Sequence, residues 1–218
     1  MLNVKNSYSF RGGTFDPIHC GHLQAAQAVS ELFDNADVHL LPAKIPVHKA
    51  QPSTQVEQRI SMLQLAVEDY PHLKLDLREI RAANPSFTID TLRQLRRELA
   101  QDVPVVMVIG MDSYQTLGRW KHSDSILEYC HIIVLQRPQY EIQTGQQAVY
   151  QAPIANSIEQ MIKTARGSVY FYEQAPVDIS ASEIREQIIN SETPNLLPLK
   201  VAQYINTHQL YKADVRPQ

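Results

Sequence analysis

The segment Gly12-Gly13-Thr14-Phe15-Asp16-Pro17-Ile18-His19-Cys20-Gly21-His22 gathers a glycine pair, a turn, a third glycine and two histidines into one short stretch. Glycines let a backbone approach an anion closely, and the free N–H groups at a helix start point toward it. Two imidazoles beside such an anion would sit where charge builds during phosphoryl chemistry. A metal site is the second reading. His19 and His22 are three residues apart and would share one helical face, so both could reach one ion. Only Cys20 and Asp16 stand near enough to complete a ligand set, so the phosphate reading is preferred and no metal ligand is assigned.

Other residues could serve the same anion. Ser180-Ala181-Ser182-Glu183 has the capping-box pattern, which satisfies open N–H groups at a helix start and can also face a phosphate. Arg185 lies one turn inside that helix, where an arginine is ordinarily a solvated charge. Lys44, His48 and Lys49 form a basic cluster in a proline-bearing loop after a strand. Arg137 follows another strand end, and Asp112 follows a third, where it could take a ribose hydroxyl or help place metal-bound phosphates. Trp120 is the only tryptophan, a residue more often partly buried than ligand-stacking. Cys20 reads as a small filler between the histidines.

These residues need elements to hold them at one edge. Tyr8 and Phe10 mark a strand before the glycines, and Leu23, Ala26, Val29 and Phe33 recur at helical spacing after them. Strands are further expected at 38–41, 73–77, 105–109, 132–135 and 169–172. The continuously apolar runs at 105–109 and 132–135 suit central parallel strands buried on both faces. Helices are expected through Val56, Ile60, Leu63 and Val67, through Ile89, Leu92, Leu95 and Leu99, through Ile184 and Ile188, and through Val201 and Ile205. This alternation predicts an α/β, doubly wound, mainly parallel sheet, whose ligands bind at the carboxyl ends of the strands. Residues 139–167 are rich in Gln and Ala and are expected to be a peripheral insertion, with a C-terminal helical part at 180–212.

A chain of 218 residues can bury a sizeable core as a single domain spanning 1–218. The net charge of -3 carries no basic bias, so nucleic-acid binding is not expected. No apolar run approaches membrane-spanning length. Two cysteines and no apolar leader point to a reducing, cytoplasmic setting.

The chain resembles the nucleotidyltransferase superfamily marked by a His-x-Gly-His motif, here His19-Cys20-Gly21-His22. Ile179-Ser180-Ala181-Ser182-Glu183-Ile184-Arg185 is similar to the second signature of that superfamily. Gly12 to Pro17, Asn84-Pro85-Ser86-Phe87-Thr88, Gly110-Met111-Asp112-Ser113, Trp120 and Gln136-Arg137-Pro138 resemble its bacterial nicotinate-nucleotide adenylyltransferase branch. The resemblance implies a Rossmann-like fold, ATP and nicotinate mononucleotide as substrates, and magnesium accompanying ATP. It also implies that His22 donates to the α-phosphate, that His19 contacts the triphosphate, and that Gly12, Gly13, Thr14, Phe15, Ser180, Ser182 and Arg185 line the ATP site. Trp120 would stack on the pyridine ring, with backbone groups of Thr88 and Lys121 meeting its carboxylate. Arg137, ahead of Lys49, would take the mononucleotide phosphate, with Lys44, His48 and Asp112 nearby. Arg11 departs from the apolar residue usual there and is expected to shorten the first strand without touching the motif.

Competing readings are kept in view. Nicotinamide mononucleotide, phosphopantetheine or a polyol phosphate could be the acceptor within the same class. A non-catalytic nucleotide-binding module and a metal-dependent hydrolase belong to other classes. The sequence is compatible with a homo-oligomer.

Overall fold

The computed structural model describes residues 6–44, 52–83, 86–136, 152–173 and 179–212. Its strands are β1 (Tyr8–Gly13), β2 (Val38–Pro42), β3 (Leu73–Leu75), β4 (Val105–Gly110), β5 (His131–Gln136) and β6 (Val169–Glu173). They form one sheet in the order β3-β2-β1-β4-β5-β6, parallel at every pairing among the described residues. The helices are α1 (Cys20–Leu32), α2 (Val56–Val67), α3 (Arg78–Arg81), α4 (Thr88–Glu98), α5 (Met111–Thr116), α6 (Ile158–Met161), α7 (Ala181–Ile189) and α8 (Leu199–Thr207). None of the described helices is long and apolar enough to cross a membrane.

The period-two geometry of a strand explains why β4 is apolar throughout. Val106 and Val108 pack against Leu23, Val29, Met62 and Val201 from α1, α2 and α8. Val105, Met107 and Ile109 enter the opposite layer with Ile89, Leu92, Leu95 and Tyr114 from α4 and α5. Both faces are covered, as a parallel sheet requires.

Chain order reverses at β1, whose neighbours are β2 and β4. Pairing of β1 with β2 runs as far as Gly13↔Pro42, and pairing of β4 with β5 as far as Gly110↔Leu135. The β1–β4 pairing ends earlier, at Phe10↔Met107. The two central strands therefore part at their carboxyl ends, the crevice where doubly wound sheets hold ligands.

Some boundaries differ from expectation. The strand expected at 73–77 stops at Leu75, because Asp76 turns the chain by accepting the Arg78 N–H at 2.9 Å. The first strand is not shortened by Arg11; β1 continues through it to Gly13. Residues 139–151 lie outside the described residues. The remainder of the expected peripheral insertion is not peripheral: Ala155, Ile158, Met161 and Ile162 are buried in the core, and Ile154 bridges to Val169.

Buried polar side chains tie the loops to this frame. Asp16 accepts hydrogen bonds from Ser53 N (2.6 Å), Thr54 Oγ1 (2.6 Å) and Tyr211 Oη (2.7 Å). Arg59, 1% exposed, donates to the carbonyls of Thr14 (2.7 Å), Ala43 (2.8 Å) and Lys44 (3.0 Å). Arg96 does the same at the opposite edge of the sheet, donating to Tyr129 (2.7 Å), Val103 (2.7 Å) and Ala165 (2.6 Å). Three carbonyls just before β4, β5 and β6 thus share one cation. Arg96→Met should cost about 2–4 kcal/mol in urea unfolding, since it strands those buried acceptors. Asp16→Ala should cost a similar amount, roughly 2–4 kcal/mol, because three donors lose one acceptor group. Unchanged midpoints would show that water replaces these bonds at no cost.

Candidate active site

The carboxyl end of β1 delivers the glycine loop to the start of α1. Gly12 is exposed, and a Cβ placed there would meet nothing within 4 Å, so this rung leaves its face open. Phe15 takes a positive φ of 51° and turns its ring back under Gly13. His19 is the N-cap residue of α1 in extended conformation, and its side chain makes no capping bond. The imidazole is therefore left for the crevice, while its carbonyl accepts the His22 N–H at 2.9 Å. Gly21 is required here: a Cβ would stand 3.1 Å from His19 Nδ1 and 3.4 Å from Ile179.

The one-turn spacing brings the imidazoles of His19 and His22 together, with ring centroids 3.7 Å apart. His22 also meets the Phe15 ring edge-on at 5.0 Å. His19 is buried, and its Nδ1 has no hydrogen-bond partner among the described residues. Burial pushes its pKa down to about 4, the nearby Arg11 cation pushes the same way, and Glu183 opposes them. His19 is thus a neutral imidazole near pH 7.

The second expected wall forms at α7. Ser180 caps that helix, accepting from Glu183 N at 3.2 Å while its own N–H donates to Glu183 Oε2 at 2.6 Å. Arg185 reaches back across the crevice, donating to the Asp16 carbonyl at 2.6 Å and to Ser182 Oγ at 3.3 Å. The structure brings Gly12, Gly13, Thr14, Phe15, His19 and His22 together with Ser180, Ser182 and Arg185 through these contacts. Asp16, weighed from sequence as a metal ligand, has both carboxylate oxygens engaged in hydrogen bonds. Among the described residues, no group of three or more His, Cys, Asp or Glu side chains gathers to hold a metal.

A second group lies on the other face of the sheet. Thr88 opens α4, with Phe87 as its N-cap residue. Lys121 places its ammonium 4.2 Å from the centre of the Phe87 ring and 3.5 Å from Asp90 Oδ2. Half-buried Trp120 packs on the same apolar layer as Phe87. Asp112 sits in the first turn of α5, folded so tightly beneath Gly110 that a Cβ there would lie 2.6 Å from its Oδ1. Lys44 turns its ammonium to the Ala82 carbonyl at 2.9 Å. His48, Lys49 and Arg137 lie outside the described residues.

Sequence reading passed over Arg59 and gave Asp16 and Arg11 no part in holding the site. Asp16 and Arg59 clamp the glycine loop, and no local pattern identifies a residue whose partners are distant in sequence. Arg11 bears on the motif through its charge, which helps to lower the pKa of His19, and it interacts electrostatically with Asp112 as well. Its signal was available as a charged side chain inside an otherwise apolar strand.

Comparison with known proteins agrees with this arrangement. The model of the cytidylyltransferase-like family matches residues 10–187. A relative from Cronobacter sakazakii, named probable nicotinate-nucleotide adenylyltransferase, is 37% identical over 92% of this chain and 94% of its own. One of the same name from Pseudoalteromonas atlantica is 36% identical over 97% of this chain and 98% of its own. Among solved structures, the nicotinic acid mononucleotide adenylyltransferase of Plasmodium falciparum, complexed with NaAD, superposes with a TM-score of 0.73 at 17% identity. That match covers 94% of this chain and 97% of the other, and the likeness is one of fold. The chain therefore belongs to the nicotinate-nucleotide adenylyltransferase family.

Proposed function

We propose that the chain transfers the adenylyl group of ATP to nicotinate mononucleotide, forming nicotinate adenine dinucleotide and pyrophosphate. The observation that carries this reading is the histidine pair, with ring centroids 3.7 Å apart, at the start of α1 and the carboxyl edge of the sheet. The acceptor's phosphate oxygen attacks the α-phosphorus in line. A new P–O bond forms there, the bond to the bridging oxygen breaks, and its electron pair leaves on pyrophosphate. The attacking oxygen is already anionic, so no side chain need remove a proton. The chain's task is to position the reactants and stabilise charge on the α-phosphate. His22 donates to an α-phosphate oxygen, neutral His19 meets the triphosphate, and Arg185 exchanges the Asp16 carbonyl for a phosphate oxygen. Trp120, Thr88 and Lys121, across the crevice, receive the pyridine end of the acceptor. Magnesium arrives with the triphosphate and screens it and the departing pyrophosphate. An ATP-dependent reaction suits a cytoplasmic protein, and neither Cys20 nor Cys130 forms a disulfide.

Pyrophosphate release, measured with ATP, magnesium and either nicotinate or nicotinamide mononucleotide, tests the reading. Faster release with the nicotinate form is expected. Release with neither would sink it, and preference for the nicotinamide form would change the acceptor. His22→Ala should lower kcat by about 10²–10³-fold while changing KM for ATP far less, as loss of a transition-state donor does. An unchanged kcat would remove His22 from the chemistry.

His19 also gives a pH dependence. Its folded pKa of about 4 lies below the unfolded value of 6.5, so between those values the unfolded chain binds more protons. Stability should fall as pH drops from 6.5 to about 4, and His39 and His131, whose pKa values are likewise lowered by burial, act in the same direction. His19→Gln should flatten part of that slope in denaturant titrations across this range. An unaltered slope would mean that His19 protonates as readily folded as unfolded.

A further inference from the structure

Among the described residues, Arg59 and Arg96 are buried and Arg11 has buried guanidinium nitrogens, and the three use their donors differently. Arg59 and Arg96 each donate three hydrogen bonds to backbone carbonyls, joining segments distant in sequence. Arg11 does not: its Nε and Nη1 are both buried, and neither has a hydrogen-bond partner among the described residues. A guanidinium stays charged at any ordinary pH, and a buried charge with unused donors is costly unless something else satisfies it. Arg59 also leaves its Nε unpartnered, but its Nη1 and Nη2 clamp three carbonyls, and no such clamp accompanies the unused nitrogens of Arg11.

Its place in the sheet says what the donors face. Arg11 pairs with Leu40 of β2, but the pairing of β1 with β4 ends one residue earlier, at Phe10↔Met107. Arg11 therefore stands at the first rung where the central strands part. Alternation along β1 puts its side chain on the face opposite Phe10, whose ring enters the layer of α4 and α5. That is the face covered by α1, and there Arg11 interacts electrostatically with His19 and with Asp112. Asp112 accepts nothing from Nε or Nη1. Half-buried Arg11 thus stands on the α1 side at the parting of β1 and β4, beside the crevice, with two donors unused.

We propose that Arg11, half-buried at this rung, is a substrate-binding residue whose guanidinium donates to phosphoryl oxygens of a nucleotide in this crevice. The proposal rests on the reading that the crevice binds nucleotide phosphates. An arginine suits this place because it keeps its charge and its directed donors when buried, which an ammonium does less well. Two sources offer the same chemistry, the phosphates of ATP and the 5′-phosphate of the mononucleotide acceptor.

The test uses the full chain as wild type, Arg11→Met and Arg11→Lys. Calorimetric affinities for a non-hydrolysable ATP analogue and for nicotinate mononucleotide are measured separately, with the melting temperature of each nucleotide-free protein. Arg11→Met should weaken at least one nucleotide tenfold or more, and Arg11→Lys should recover part of that loss. The nucleotide-free Arg11→Met protein should melt no lower than wild type, because an apolar chain replaces a buried cation without partners. Loss confined to the ATP analogue assigns the triphosphate, and loss confined to the mononucleotide assigns its phosphate. Wild-type affinities for both nucleotides in Arg11→Met would overturn the proposal while leaving the proposed reaction standing. An Arg11→Met protein that melts well below wild type, or does not fold, would overturn it by showing a structural clamp. A wild-type protein that binds neither nucleotide would overturn the reading of the crevice and the proposal together.

Discussion

The site depends on one carboxylate. Asp16 sits in the turn between the glycines and the histidines and accepts three hydrogen bonds, from Ser53, Thr54 and Tyr211. Its own carbonyl accepts from Arg185. One residue thus gathers the loop after β1, the segment before α2, the start of α7 and the end of the chain. Without that carboxylate, His19 and His22 would still share a helical turn, but the loop that leads to it would lose its ties to Ser53, Thr54 and Tyr211. Phosphoryl transfer leaves the protein little covalent work, so holding this loop in place is where its contribution lies.

Charge is distributed around that centre with a clear division. Arg59 and Arg96 carry their charge into the interior to join backbone segments, and their donors are largely satisfied there. Arg11, Arg185 and Lys44 line the carboxyl edge of the sheet or stand near it. Arg185 and Lys44 are held on the Asp16 and Ala82 carbonyls. Burial, and after it the Arg11 cation, lowers the proton affinity of His19, so the histidine pair does not carry two positive charges 3.7 Å apart. The crevice gains its cationic character from these longer side chains.

Much of this was legible in the sequence because local patterns carry it. Strand and helix alternation gives the sheet, and the glycine loop and capping box give both walls of the candidate phosphate site. Boundaries were less legible where a side chain ends an element, as Asp76 does by accepting the Arg78 N–H. The stretch before β6 looked peripheral because its Gln and Ala content hid the few apolar residues, Ile158, Met161 and Ile162, that reach the core. Asp16, Arg59 and Arg11 could not be assigned because their roles arise from partners brought close only by folding. Arg11 in particular read as an imperfection in a strand, whereas it stands at the parting of β1 and β4.

The central claim is that the histidines stabilise a direct displacement and form no bond to phosphorus themselves. The stereochemistry at the α-phosphorus tests this most directly. ATP made chiral there by a single sulfur substitution is turned over with nicotinate mononucleotide, and the configuration of the dinucleotide product is read. One in-line displacement predicts inversion. Retention would mean two successive displacements through an adenylylated side chain, and would contradict the account.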